Sequence, residues 1–259
     1  MTRSMRDLEL TPTQLQQFRD DGFLILDRLL EPGEIARVAA RFEPLFRGEF
    51  ETGLYPDEWN WQDGRDPMDR TRQICNAWKA DRGIASIVLN ATVGRLCAQL
   101  GGWSGTRIAQ DNVLWKPPGA KPLGFHQDNS YVHWVDPPCY VTCWMALDQT
   151  DAEGGTIEYV RGSHRWGKFP PIRQFHAPED YKEALHAAGQ RWERHRRSCR
   201  LRCRRAAARF IMAIPGTARV VIVLSGHADR PWHTASPRKH VFTHTRSATS
   251  TAAISAWTT

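Results

Sequence analysis

His126 and Asp128 are the residues whose types and spacing most clearly suggest metal chemistry. They lie two positions apart in the stretch LGFHQDNSYVHW, Leu123 to Trp134. An imidazole nitrogen and a carboxylate oxygen suit a hard divalent metal, and side chains two apart on a strand point to the same side. The pair alone is a weak motif, because a His beside an Asp arises readily by chance. A metal site also needs a third ligand further along the chain.

The sequences that flank the pair are more specific. LWKPPGAKPLGFHQDNSY and TCWMALDQTDAEGGTIEYVRGSHRWG closely resemble the phytanoyl-CoA dioxygenase family. The resemblance covers roughly Thr11 to Tyr181 and is most specific from Lys116 to Trp166. It implies an enzyme that uses Fe(II), the cosubstrates 2-oxoglutarate and O₂, and ascorbate as a supporting reductant. It also implies a small organic substrate.

The resemblance also implies roles for individual residues. His126 and Asp128 are expected to be the first two ligands of a 2-His-1-carboxylate iron site. Four residues are expected to line the 2-oxoglutarate pocket: Gln110, Lys116, Gln127 and Trp144. Core packing for Trp144, and a turn or a strand edge for Lys116 and Gln110, are alternative explanations. Related halogenases have Ala or Gly at the place of Asp128, so this carboxylate favours hydroxylation.

The elements expected to position these residues change type along the chain. Helices are predicted at LTPTQLQQFRDDG, with a capping box at its start, at LEPGEIARVAARFEPLF and at GIASIVLNATVGRLCAQLGG. FLIL is predicted as a buried strand, and Asp57 to Arg72 as an ordered loop. From Thr106 onward, short β-branched and aromatic segments separated by turns predict strands. Helices followed by closely spaced strands predict a mainly β fold, a sandwich or barrel with flanking N-terminal helices. The family resemblance implies that this core is a double-stranded β-helix (jelly roll, cupin-like).

Composition divides the chain near residue 190. Residues 1–190 carry 21 Lys and Arg against 26 Asp and Glu, whereas residues 191–259 carry 14 against 2. We predict a dioxygenase-like domain over 1–190, with a helical part (1–103) and a jelly-roll part (104–190), followed by an atypical basic tail. The Arg-rich segment RWERHRRSCRLRCRR, 191–205, is typical of an arm that binds nucleic acid or an anionic surface, an alternative that we do not favour.

The tail lacks the residue that should complete the iron site. The family's distal His belongs near Thr217, yet no His occurs between His195 and His227. A GC-rich back-translation of CRRAAARFIMAIPGTARVVI, read from the third base of each codon, allows PAGGGAVHHGDTWHGSGRN, which resembles the family's distal motif. We therefore hypothesise that the reading frame slips by one step around residues 188–200. The C-terminal strands and the 2-oxoglutarate-binding Arg would then be disrupted or lost. His233 is a weaker candidate ligand, because it lies too late in the chain.

Several other classes of protein and site are disfavoured. No run of 18 apolar residues occurs, which predicts no transmembrane helix, and the N-terminus lacks an apolar signal core. The six Cys are unevenly spaced and do not resemble a disulfide framework, which predicts a reducing, cytoplasmic setting. A zinc site at Cys139 and Cys143 is disfavoured, because no second Cys pair of suitable context accompanies them. His164 in GSHR is interpreted as part of a turn. The alternative to an enzyme is a non-catalytic jelly-roll protein that binds a ligand; the oligomeric state is not predicted.

Overall fold

The described part of the chain comprises residues 8–26, 29–131, 140–148, 156–198 and 220–225 of a computed structural model. Within these ranges the chain forms six α-helices and six β-strands. The strands are arranged in two antiparallel sheets of three strands each.

The first helix, α1 (Pro12–Asp21), begins and ends where the sequence predicts. The Thr11 hydroxyl accepts the N–H of Gln14, and the Gln14 side chain accepts the N–H of Thr11, which completes the capping box. Gly22 ends the helix with a φ of 83°, in the left-handed region that favours glycine, and its N–H donates to the carbonyl of Phe18. Strand β1 (Phe23–Leu26) follows at once, as predicted.

Two predicted helices are each divided in two. The second predicted helix forms α2 (Pro32–Ala39) and α3 (Phe42–Phe46), and the third forms α4 (Arg82–Val88) and α5 (Ala91–Gly101). The break before α5 occurs because Asn90 is extended and its side chain accepts the N–H of Thr92, which caps the new helix. Hydrophobic periodicity alone does not reveal this cap.

The segment Arg82–Gly101 is long and apolar enough, by length and composition, to cross a membrane. Half of its most apolar window is buried inside the protein, and both helices in it contribute to the core. Their fully buried side chains include Ile84, Val93 and Leu96. A core helix passes the same test of length and hydropathy, so packing accounts for this composition.

The two sheets have the strand orders β1–β6–β5 and β2–β3–β4. The first contains β5 (Tyr140–Met145) and β6 (Val220–Ser225); the second contains β2 (Glu58–Trp59), β3 (Arg72–Cys75) and β4 (Asn112–Trp115). Helix α5 packs against β5, whose Val141 and Cys143 are fully buried. A last helix, α6 (Glu183–Ser198), follows the segment that covers the candidate site.

Two expectations about the fold require correction. Helices contain more residues than strands in the described ranges, so the predicted predominance of β structure is not seen in this part of the chain. The C-terminal strands were expected to be disrupted, yet β6 lies in the tail 191–259 and pairs with β1 on one side and β5 on the other. The run VVIVLS explains this, because it is apolar and mostly β-branched, and strands favour such residues.

Candidate metal centre

His126 and Asp128 converge on one wall of a large cavity. The Nε2 atom of His126 lies 3.3 Å from Oδ1 of Asp128. The other ring nitrogen, Nδ1, lies 2.8 Å from the carbonyl oxygen of Gly124. Because a carbonyl oxygen can only accept, Nδ1 is the ring nitrogen that donates to Gly124. This hydrogen bond orients the ring so that Nε2 faces the carboxylate.

The second oxygen of Asp128 is held by strand β5. The Thr142 hydroxyl donates to Oδ2 of Asp128 at 2.9 Å. Thr142 is only 3% exposed, so water competes little for this hydrogen bond. The bond fixes the carboxylate so that its other oxygen, Oδ1, faces His126.

The pair does not lie on a strand, which corrects that prediction. His126 lies in an irregular segment, and Asp128 begins the 3₁₀ turn Asp128–Ser130. In this turn the N–H of Ser130 donates to the carbonyl of Gln127, and the N–H of Tyr131 donates to the carbonyl of Asp128. The tight turn, rather than strand alternation, brings the imidazole and the carboxylate together.

Residues 167–181, which we call the strap, pack against the segment that carries the pair. The Gln127 side chain binds the strap at both ends of its amide. Its Nε2 donates to the carbonyl of Gly167, and its Oε1 accepts the N–H of Phe169, both at 2.9 Å. Gln127 therefore has a structural partner at each polar atom.

Further contacts join the strap to residues 124–131. They include three hydrogen bonds of backbone N–H groups: Ile172 N–H to the Tyr131 hydroxyl at 3.0 Å, Gly124 N–H to Phe175 O at 2.9 Å, and Phe125 N–H to Tyr181 O at 2.9 Å. The ring of Phe175 lies 4.7 Å from the ring of His126, centroid to centroid. The strap thus covers one face of the imidazole with an aromatic side chain.

The cavity beside the pair has a volume of about 1550 Å³. Three of the four predicted pocket residues lie on its wall: Lys116, Gln127 and Trp144. The fourth, Gln110, is half-buried and is not among the described residues that line this cavity. Strands were predicted from Thr106 onward, but β4 begins after Gln110 and ends before Lys116, so neither residue lies on it. The structure therefore groups Lys116 and Trp144 with the pair and leaves Gln110 apart.

Lys116, which is predicted to contact 2-oxoglutarate, places a cation on the cavity wall. Burial lowers the pKa of its ammonium group, because desolvation disfavours the charged form. A carboxylate brought into the cavity would offset that cost by Coulomb attraction. Trp144 lies two residues after Thr142 on β5, and hence on the same face of the strand.

A family model and one curated relative match this chain. The model of phytanoyl-CoA dioxygenase (PhyH) matches residues 18–201. The chain belongs to the phytanoyl-CoA dioxygenase family. The ectoine dioxygenase of Nocardia farcinica is 26% identical over 182 residues, which are 68% of this chain and 58% of that protein. This family member therefore spans less than two thirds of the length of that relative.

Solved structures of similar fold include two proteins of nogalamycin biosynthesis. The non-heme alpha-ketoglutarate-dependent carbocyclase SnoK has a TM-score of 0.55 and 19% identity, covering 88% of this chain and 81% of SnoK. The epimerase SnoN, in complex with Fe³⁺, alpha-ketoglutarate and nogalamycin RO, has a TM-score of 0.55 and 17% identity, covering 82% and 73%. This member of the phytanoyl-CoA dioxygenase family thus shares the cupin-like fold of these proteins.

The donor atoms of the pair fit the iron that this family's fold implies. His126 offers a ring nitrogen, Nε2, whose direction is set by the hydrogen bond of Nδ1, and Asp128 offers a hard oxygen whose partner oxygen is already hydrogen-bonded. Within the described ranges, no group of three or more His, Cys, Asp or Glu is placed to hold a metal. Thr217, His233 and Cys139 lie outside the described residues, so the predictions made for them stay predictions.

His164 lies in a turn, in agreement with its interpretation from sequence. The 3₁₀ turn Ser163–Arg165 packs against the last turn of α1. The His164 Nε2 and the Arg165 guanidinium both donate to the carbonyl of Arg19, at 3.1 and 3.0 Å. These donors satisfy a carbonyl at the C-terminal end of a helix, so the turn has a capping role.

Sequence analysis identified neither Thr142 nor the strap. One signal for Thr142 was available: it precedes Trp144 by two residues on a predicted strand, which places both on one face. The strap carries no comparable signal. Its bonds to Gln127 come mainly from backbone atoms, and the residue types at Gly167 and Phe169 do not reveal them.

Proposed function

We propose that this chain is an Fe(II)- and 2-oxoglutarate-dependent dioxygenase that hydroxylates an unactivated C–H bond of a small organic substrate. The observation that carries the proposal is the 3.3 Å approach of His126 Nε2 to Asp128 Oδ1 on the cavity wall. Membership of the phytanoyl-CoA dioxygenase family and similarity to an ectoine dioxygenase support it. The similar structures also include a carbocyclase and an epimerase, so the choice of hydroxylation rests on the carboxylate of Asp128 and on that relative.

In this proposal each residue of the site has a separate task. His126 would hold Fe(II) through Nε2, and Asp128 would hold it through Oδ1. The Lys116 ammonium would bind a carboxylate of 2-oxoglutarate, and the Trp144 ring would form part of the wall against which that molecule lies. Bound iron would supply the redox chemistry that couples decarboxylation of 2-oxoglutarate to succinate and CO₂ with oxidation of the substrate by O₂. The Phe175 ring of the strap shields part of the imidazole, which is 16% exposed, from bulk water.

Succinate formation tests the proposal. The purified chain is incubated with 2-oxoglutarate, Fe(II) and ascorbate, with and without members of a metabolite panel, and succinate is quantified. We expect turnover that disappears in Asp128→Ala and His126→Ala. The matched control is Asp63→Ala, which removes an exposed aspartate outside the cavity and should keep full turnover. Succinate formation that survives Asp128→Ala would overturn the proposal.

A non-catalytic ligand-binding protein is the second candidate. The observation that favours it is that the described residues supply two metal ligands and no third, and two protein ligands hold a divalent metal weakly. Thermal stabilisation by 2-oxoglutarate without any succinate would support this candidate. Salt-sensitive DNA binding that is lost on truncation at residue 190 would instead indicate a role for the Arg-rich segment 191–205.

A further inference from the structure

We propose that Gln127 and Ser130 form a clamp on the backbone of Phe169, and that this clamp positions the turn that carries Asp128. Gln127 then acts as a positioning residue rather than as a direct contact to 2-oxoglutarate. This inference rests on the proposed function, because it concerns how the same two ligands are held.

The clamp consists of three hydrogen bonds. The N–H of Phe169 donates to Oε1 of Gln127 at 2.9 Å, and the carbonyl of Phe169 accepts the Ser130 hydroxyl at 2.6 Å. A third bond runs from Nε2 of Gln127 to the carbonyl of Gly167 at 2.9 Å. One peptide segment of the strap is therefore held from two positions that bracket Asp128.

The local backbone explains why this clamp acts on the carboxylate. Gln127 immediately precedes the 3₁₀ turn and Ser130 ends it, so the two anchors lie at the entry and the exit of the turn. Such a short turn has few hydrogen bonds of its own, and its geometry depends on outside contacts. Ser130 is 1% exposed, so water cannot readily replace the strap as its partner. Movement of either anchor would change where Oδ1 of Asp128 points.

Glutamine has the side chain that this place requires. The clamp needs one acceptor for the Phe169 N–H and one donor for the Gly167 carbonyl, at a fixed separation in one plane. A primary amide supplies both, whereas a carboxylate supplies no donor, and a thioether supplies no donor and only a weak acceptor. Gly167 has a φ of 80°, and this left-handed conformation bends the strap so that its carbonyl faces Gln127.

Hydrogen exchange and metal titration together test the clamp. The variants are Gln127→Met, Ser130→Ala and the double variant; Gln16→Met on the exposed side of α1 is the matched control. The readouts are the exchange rate of the Phe169 amide in the metal-free protein and the Kd for Co(II), followed by the visible absorption of the bound ion.

We expect each single variant to speed exchange and to weaken Co(II) binding by about fivefold to tenfold, the effect of losing one or two hydrogen bonds. In the double variant, the fold-loss of Co(II) affinity should be smaller than the product of the two single fold-losses, because both anchors hold one peptide.

The outcomes separate the clamp from its alternatives. If Gln127→Met leaves both Phe169 exchange and Co(II) affinity at the wild-type value and weakens only the binding of 2-oxoglutarate, Gln127 is a cosubstrate contact and the inference is wrong. If the wild-type chain binds no Co(II), the proposed function fails, while the exchange rate still tests the clamp. Should Gln127→Met not fold, Gln127→Glu keeps the acceptor for Phe169 and loses the donor for Gly167. That variant should increase exchange at residues 167–169, and unchanged exchange there would equally overturn the inference.

Discussion

At the scale of single residues, the geometry of the candidate metal centre is set by the hydrogen-bond partner of each predicted ligand. His126 is oriented by the carbonyl of Gly124, and Asp128 is oriented by the Thr142 hydroxyl. The Gly124 carbonyl and the Thr142 hydroxyl are not themselves predicted ligands. Each of them determines which atom of its hydrogen-bonded ligand faces the other ligand. Such outer partners affect metal affinity because they set ligand direction before the metal arrives.

Thr142→Val tests this orientation directly. Valine has nearly the same shape and lacks the hydroxyl, so Oδ2 of Asp128 loses a buried donor and the carboxylate can rotate. We expect Co(II) affinity to fall by about tenfold, and Thr142→Ser to restore most of it. Isothermal titration of the metal-free protein measures both. Equal affinity in the valine variant and the wild type would show that the hydroxyl plays no part in holding the carboxylate.

Asp111 makes stability depend on pH at a place remote from the metal centre. Its carboxylate is fully buried beside the 3₁₀ turn Ala77–Lys79, where Oδ1 accepts the N–H of Trp78 and Oδ2 has no partner among the described residues. Burial, aided by the negative charge of Asp57, raises the pKa of Asp111 from the usual 3.8 to about 7, against the opposing effect of the backbone donors. The folded protein therefore binds this proton more tightly than the unfolded chain does.

The sign of the effect follows from that difference. The stabilising contribution of protonated Asp111 is complete below about pH 4 and is lost as the pH rises to about 7 and above. We expect the free energy of unfolding to fall by roughly 2–4 kcal/mol over this range on account of this group. Urea unfolding at pH 4.5 and pH 8 should show a smaller loss in Asp111→Asn, whose side chain does not titrate. A loss of the same size in both proteins would assign the pH dependence to other groups.

At the scale of elements, the strap and the segment 122–131 form one unit without belonging to a helix or to a regular sheet. Gly124 lies where they approach most closely. A Cβ atom there would lie 2.6 Å from Cδ1 of Ile172 and 3.3 Å from the carbonyl oxygen of Gln174. Because the same glycine supplies the carbonyl that orients His126, close packing of the strap and the orientation of the imidazole depend on one residue.

Gly124→Ala should therefore disturb both stability and the site. We expect a loss of about 1–3 kcal/mol in the free energy of unfolding, the usual cost of inserting a methyl group into a packed contact. Combining it with Ile172→Val removes the closest atom and should recover part of the loss. Gly105→Ala is the control, since nothing lies within 4 Å of a Cβ there. If the double variant is no more stable than Gly124→Ala, Ile172 is not the source of the strain.

The sequence predicts the local features of these elements better than the contacts between them. The capping box at Thr11 and the left-handed Gly22 are visible in the sequence, because both depend on residues within one turn of helix. The H-x-D pair was predicted on a strand, yet it is brought together by a 3₁₀ turn that the strap supports. That support comes from residues about 40 positions away along the chain, as in the bond from Gln127 to Gly167, and no local pattern encodes it.

At the scale of the whole molecule, strand β6 bears on the origin of the basic tail 191–259. β6 lies between β1 and β5 and is the central strand of its sheet. The family match, however, ends at residue 201, before β6 begins and close to the predicted frame slip at residues 188–200. β6 therefore completes the sheet of β1 and β5, although it lies beyond the residues that the family model matches.

Sequencing the coding DNA distinguishes two explanations for this tail. We propose that the frame slips, in which case the DNA read one base off encodes a W-H-G-S-like motif with its His near position 217. The frame-restored protein should then bind Co(II) more tightly than the present chain, because a third ligand completes the site. If no such motif is encoded, the proposal fails and VVIVLS is the native central strand. Deleting residues 220–225 should then leave the paired edges of β1 and β5 open and cause aggregation, which light scattering would detect.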